Sequence, residues 1–167
     1  MVQQVQLEGD RVVAVGRPID LLDYTPQEGE WRNMLTHWVT KRHWRDQTED
    51  DPQAVRAHYD WRWLYLHTCG AARKQLEKAE QVEKPFEPSK KRVKVDIETF
   101  TKDPMPNRYH VFWKSTTLEK YSPEPKVEYW TTTFLVDRVE PKTAAEATLN
   151  NLGQCVAGLH DEPRANP

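Results

Sequence analysis

Apolar residues recur three and four apart between Trp31 and Val39, at Trp31, Met34, Leu35, Trp38 and Val39. That period predicts a helix with one buried face. Thr25-Pro26-Gln27-Glu28 stands just before it. Thr25 can cap, Pro26 suits the first helical position and Glu28 completes a capping box. The expected helix runs to about Trp44, with Arg32, Lys41 and Arg42 turned to its other sides. A second start signal, Asp50-Asp51-Pro52 with Asp51 as cap, opens a stripe of Val55, Tyr59, Trp63, Leu66 and Gly70, widened by Trp61, Leu64 and Tyr65. It predicts a single helix to about residue 78. A helix so apolar around its circumference needs to be clasped between a sheet and another element. Gly70 marks either its end or a close approach.

The period changes to two in the second half. Val93, Val95 and Ile97 alternate with Lys94, Asp96 and Glu98, which predicts a strand with one wet face. Asp103-Pro104-Met105-Pro106-Asn107 turns the chain. The next strand places Tyr109, Val111 and Trp113 on one face, under the helices. After Ser122-Pro123-Glu124-Pro125, residues Trp130 to Val136 read as a central strand, apolar on both faces near its end. Thr143 to Leu149 predicts a short helical turn, Gln154 to Leu159 a last short strand, and Asp161 to Pro167 a frayed tail. At the other terminus, Val5-Gln6-Leu7 and Val12 to Val15 flank Glu8-Gly9-Asp10 as a strand pair too small to be stable alone.

These elements compose one α+β domain over residues 1–167: an extended segment at 1–20, a helical half at 25–78, a polar connection at 79–91, a sheet half at 92–160 and a tail at 161–167. Two to three helices pack on a curved antiparallel sheet of about four strands. This cone resembles the nuclear-transport-factor-like fold.

Composition narrows the function. Of 167 residues 30% are charged, yet the net charge is only −2, so direct nucleic-acid binding is not expected. Lys90-Lys91-Arg92 reads as a solvated strand entrance. No run approaches the roughly 20 apolar residues that span a bilayer, and no signal peptide opens the chain. The ordinary reading of Cys69 and Cys155 is two half-buried thiols; a disulfide would require an oxidising compartment.

Catalytic signals are weak. His37, His43, His58, His67, His110 and His160 make no metal-ligand spacing, and no cofactor is expected. There is no phosphate loop and no nucleophile elbow. Cones of this kind can enclose a pocket holding an Asp or a His–Asp pair. Asp96, in mid-strand, and Asp60, near His58, are the carboxylates to follow, although alternation puts Asp96 on the polar face. A small-molecule-binding module or an enzyme is therefore the alternative reading.

Asn150-Asn151-Leu152-Gly153 is similar to the Asn-Pro-x-Gly motif of a type IV secretion family, the eighth VirB component and its conjugation counterpart TrbF. The order of the chain matches too. Val12 to Val15 and Asp23-Tyr24-Thr25-Pro26 resemble the opening of a TrbF periplasmic domain. Trp38 to Arg42 followed by Asp51-Pro52 resembles its first helix and the start of its second. Gly70-Ala71-Ala72, Tyr109 to Trp113 and Glu128-Tyr129-Trp130 stand where that family has similar segments. The resemblance covers roughly residues 5–160. It departs at Asn151, where the motif has proline, so proline's fixed φ is lost.

The resemblance implies a non-enzymatic assembly scaffold for conjugative DNA transfer or protein export. It implies the periplasmic side of a bacterial inner membrane, reached through an anchor absent from this chain. The partners it implies are a second copy of the chain and other secretion components. Carried over by position, the self-association surface is Trp31, Met34, Leu35, Asn150, Asn151, Leu152 and Gly153; read from periodicity alone, the three helix residues are core.

Overall fold

The computed structural model describes residues 5–8, 11–15, 25–57, 59–122 and 124–166. His58, Gly9, Asp10, Asp23 and Tyr24, and the expectations placed on them, lie outside the described residues. Strands β1 (Val5–Glu8) and β2 (Arg11–Val15) pair antiparallel as a separate two-stranded sheet.

Helix α1 spans Glu28–His43. The expected cap moves two residues along: the Gln27 N–H donates to the Glu30 carboxylate at 2.6 Å. Trp31, Met34, Leu35, Trp38 and Val39 are all buried, as their spacing requires. Arg42 departs from its expected wet side and is buried as well.

The long second helix is instead three: α2 (Pro52–Ala57), α3 (Trp61–Leu66) and α4 (Gly70–Glu83). Asp60 restarts the helix, its carboxylate accepting the Trp63 N–H at 3.4 Å. The second break has a tertiary cause. His67, Thr68 and Cys69 leave the helical path to pair with the final strand: the Cys69 N–H donates to Val156 O and the Val156 N–H to His67 O, each at 2.8 Å. Gly70 then turns back with φ +53°, and a Cβ there would stand 3.4 Å from Ala157 O. Its role is a close approach with left-handed backbone, which glycine alone adopts at no steric cost. Helix α4 also runs past residue 78 to Glu83, where Arg42 and Arg45 hold its last carboxylate.

The main sheet has five antiparallel strands in the order β3 (Arg45–Asp46), β4 (Lys91–Lys102), β5 (Arg108–Glu119), β6 (Lys126–Arg138), β7 (Gln154–Arg164). Strand β6 is interior, flanked by β5 and β7. Helix α5 (Ala144–Leu149) is the short helical turn expected there. The expected tail from Asp161 is strand: Asp161, Glu162, Pro163 and Arg164 pair with Thr132, Thr131, Trp130 and Tyr129. Proline is tolerated at Pro163 because β7 is an edge strand.

Tyr109, Val111 and Trp113 face the helices as their alternation predicts, and all are buried. Trp38 meets Phe134 edge to face at 5.5 Å, and Trp31 stacks on Tyr109 at 6.1 Å. Full burial of side chains such as Trp38, Leu35, Phe134 and Val111 stabilises the helix–sheet layer by about 1.5–3 kcal/mol each. The fold is a curved sheet with helices on its concave side, the nuclear-transport-factor-like class. Gly70→Ala should lower stability by about 1–2 kcal/mol in urea unfolding, because the side chain is forced into left-handed backbone; an unchanged midpoint would contradict this account of the break.

Candidate interaction surface

Asn150-Asn151-Leu152-Gly153 closes a tight turn between α5 and β7. Thr143 opens α5 by accepting the Glu146 N–H at 3.1 Å, and the Asn150 N–H closes it onto Glu146 O at 2.8 Å. The Gly153 N–H returns to Asn150 O at 3.1 Å, with Gly153 at φ +60°. The Asn150 side chain is buried and fully used. Its amide donates to Leu66 O at 3.2 Å and Gln154 O at 2.8 Å, and its oxygen accepts the Gln154 N–H at 3.0 Å. Asn150 therefore fastens the turn to the end of α3. Asn151, by contrast, is exposed, and Leu152 is half-buried with its carbonyl 3.4 Å from Arg138 Nε.

The turn sits on a cross-linked seam. Cys69 and Cys155 form a disulfide, not the two thiols of the ordinary sequence reading, across a separation of 86 residues and with Cα atoms 6.0 Å apart. The backbone pairing of residues 67–69 with Val156 is what brings them together. Trp38 Nε1 donates to Thr68 Oγ1 at 2.9 Å, and Thr68 Oγ1 donates to Leu64 O at 2.6 Å, so α1 and α3 meet the same seam. Closing a loop of this length contributes about 4–5 kcal/mol when geometry is unstrained.

The seven expected interface residues thus separate. Trp31, Met34 and Leu35 are 6%, 5% and 0% exposed and belong to the core beneath α1. Within the Asn150–Gly153 turn Asn151 is exposed, Leu152 half-buried and Asn150 and Gly153 buried; Leu149, just before it, and Val139, just after β6, are 41% and 44% exposed. Val139 is joined to the turn by its N–H, which donates to Gly153 O at 2.8 Å. Periodicity could not find Val139 or Leu149, because each stands alone outside a regular pattern.

A second feature is a cavity of about 460 Å³ between α1, the end of α4 and the sheet, lined among others by Arg42, His43, Arg45, Trp113, Trp130 and Asp161. Arg42 grips Glu83 with both terminal nitrogens, at 2.9 and 2.6 Å, and Arg45 reaches the same carboxylate at 3.2 Å. His43 lies against the Trp113 ring at 4.4 Å with its Nε2 3.6 Å from Asp161 Oδ2. Trp113 Nε1 donates to Thr132 Oγ1 at 2.9 Å, and Thr132 donates to Asp161 Oδ1 at 2.5 Å. Burial lifts Asp161 above the usual carboxylate range against the Thr132 bond. Burial, then Arg42 and Arg45, hold His43 well below the ordinary histidine value. Asp96 and Asp60 are not among the residues lining this cavity: Asp96 pairs with Lys94 at 2.8 Å, and Asp60 caps α3. The His–Asp pair is His43 with Asp161, which sequence spacing could not reveal. Among the described residues no group of His, Cys, Asp and Glu is placed to hold a metal, and no helix is long and apolar enough to cross a membrane.

The family described as VirB8 protein matches residues 1–160. The chain belongs to the VirB8 family. Solved structures share its fold at low identity. The soluble domain of TrwG type IV secretion machinery from Bartonella grahamii superposes with a TM-score of 0.66 at 14% identity, over 86% of this chain and 99% of that one. The VirB8 protein of Agrobacterium tumefaciens gives 0.66 at 14%, over the same shares of the two chains. A TraE protein, solved in complex with 2-(2-furyl)isonicotinic acid, gives 0.64 at 14%, over 84% of this chain and 100% of that one. None of the curated proteins matches the chain. As a VirB8-family member the chain is a component of a type IV secretion system.

Two outcomes follow from this geometry. Asn150→Ala leaves Leu66 O and the Gln154 backbone without their partners and should cost about 3 kcal/mol. Asn151→Pro should stay within about 1 kcal/mol of wild type, since Asn151 is exposed and Asn150, with ψ 66°, is outside the helical region that a following proline disfavours. Paired urea titrations check both, and a large loss in Asn151→Pro would refute the turn geometry. A further outcome concerns pH. His43 is kept neutral in the fold, while the unfolded chain takes up its proton near pH 6.5. Its contribution is complete above that pH and shrinks as pH falls below it. Asp161, raised by burial, acts with opposite sign and nearer its unfolded value of about 3.9. His43→Gln should therefore reduce the loss of melting temperature between pH 7 and pH 5; an unchanged slope would rule out a neutral buried His43.

Proposed function

We propose that this chain is an assembly scaffold of a type IV secretion apparatus, acting on the periplasmic side of the inner membrane. It associates with a second copy and contacts other channel components. The observation that carries the reading is the Asn150–Gly153 turn. Its backbone is fixed by a buried Asn150 and a left-handed Gly153, while Asn151 and the neighbouring Val139 and Leu149 are exposed. A preorganised turn with an apolar rim loses little freedom on docking. The Cys69–Cys155 disulfide supports an oxidising compartment. Trp31, Met34 and Leu35 act through the core: they seat α1, whose exposed side carries Arg32, Asn33 and His37.

Sedimentation equilibrium tests the reading. The oxidised wild-type chain should self-associate, and Leu149→Glu should weaken that association at least tenfold with a melting temperature near wild type. A strict monomer at high concentration would remove the self-association.

A further inference from the structure

Every polar tie described above between the Asn150–Gly153 turn, the start of β7 and the helical layer runs through residues 66–69. Asn150 bonds Leu66 O, Val156 bonds His67 O, and Cys69 bonds Val156 O. Thr68 and Val156 form an isolated parallel bridge. The disulfide joins the two sides of this narrow contact covalently. The main ladder is long: β4 with β5, β5 with β6 and β6 with β7 each pair ten or more residues, and Gln154, Cys155 and Val156 stand opposite Arg138, Asp137 and Val136. The segment at 67–69 has no such ladder. It is extended at Cys69, with φ −137° and ψ 178°, and turns at once through the left-handed Gly70. Its short pairing therefore depends on the cross-link to an extent that the main sheet does not. Cys155 is 2% exposed, whereas Cys69 is half-buried and gives a reductant its approach.

We propose that the Cys69–Cys155 disulfide is a redox latch on association. Closed, it holds residues 67–69 against the start of β7 and so keeps Leu66 O under the Asn150–Gly153 turn; open, it leaves the sheet folded, with β7 on β6, and the turn loosely held. Closing joins the two sulfurs and releases two protons and two electrons, which a disulfide-bearing oxidant takes up as it becomes a dithiol. Opening by a dithiol reverses the exchange. The chain would then be competent to associate only after reaching an oxidising compartment, which ties assembly to export. This inference rests on the proposed self-association surface.

The test compares the oxidised chain, the same chain in dithiothreitol, and Cys69→Ser/Cys155→Ala. Hydrogen exchange is followed at the amides of Cys69, Gln154 and Val156, with β5 amides as the reference, and sedimentation equilibrium gives the association constant. Opening the latch removes the loop closure and lowers protection throughout, so the three seam amides should lose at least tenfold more protection than β5, and association should weaken at least tenfold. Equal seam protection in both redox states overturns the latch. An equal loss at β5 and at the seam also overturns it, since the cross-link would then act only on the fold as a whole. An oxidised chain that stays monomeric overturns the association reading, while the amide comparison still decides whether the seam is latched.

Discussion

The pairing of residues 67–69 with the start of β7 is the constraint on which the course of the helical half and the placing of the Asn150–Gly153 turn depend. It breaks a helix that local pattern favours and forces the left-handed turn at Gly70. It also sets the 6.0 Å Cα separation in which a disulfide fits. Each of its backbone bonds contributes only about 1 kcal/mol net. The seam prevails because several interactions converge there: two backbone bonds, the Thr68 hydroxyl between Trp38 and Leu64, the Asn150 amide and the cross-link. An unbroken helix would leave these buried groups without partners, at about 1–3 kcal/mol each. That total exceeds what one continuous helical turn returns.

This also explains what was legible in the sequence. The alternation at Tyr109, Val111 and Trp113 and the face of α1 report burial directly, because a sheet or helix has one inside. The break at 67–69 is invisible locally, since Leu66 and Gly70 continue the helical stripe. The strand character of Asp161–Arg164 is hidden by charge and Pro163, both tolerated on an edge. Arg42 was placed on a wet face because periodicity knows nothing of Glu83, 41 residues away. At the candidate surface, the motif located the turn, yet nothing in it distinguishes the buried clamp Asn150 from the exposed Asn151. Apolar spacing in α1 cannot separate a core face from an interface face, since both are equally hydrophobic.

The ion cluster at the end of α4 has a different role from the seam. Burial alone would raise Glu83, but Arg42 and Arg45 outweigh it and keep the carboxyl below the usual range. Both guanidiniums also lie over the Trp61 ring at 5.5 Å. Such clusters contribute less to stability than their Coulomb attraction suggests, because each charge is desolvated. Their geometric demand is strict, however. One carboxylate must meet a two-pronged Arg42 and Arg45 together, so α4 is extended and its end is fixed against α1. The cluster sets position where the seam sets connection.

The cavity and the turn show where this chain has invested its preorganisation. Acid–base catalysis needs a pair within hydrogen-bond reach of each other or of a substrate atom, each oriented by further bonds. Asp161 is oriented by Thr132, but His43 Nε2 is buried without a hydrogen-bond partner among the described residues. Its ring packs against Trp113, tilted by 31°. At the Asn150 turn the Asn150 carbonyl, amide and N–H, together with the Gln154 N–H, all have partners, while Gln154 Nε2 beside them is buried without one among the described residues. The bonds that converge on the Asn150 side chain hold the turn in one conformation. Physical order is therefore greater at the Asn150 side chain, placed by three hydrogen bonds, than at the His43–Asp161 pair, whose imidazole is placed by ring packing.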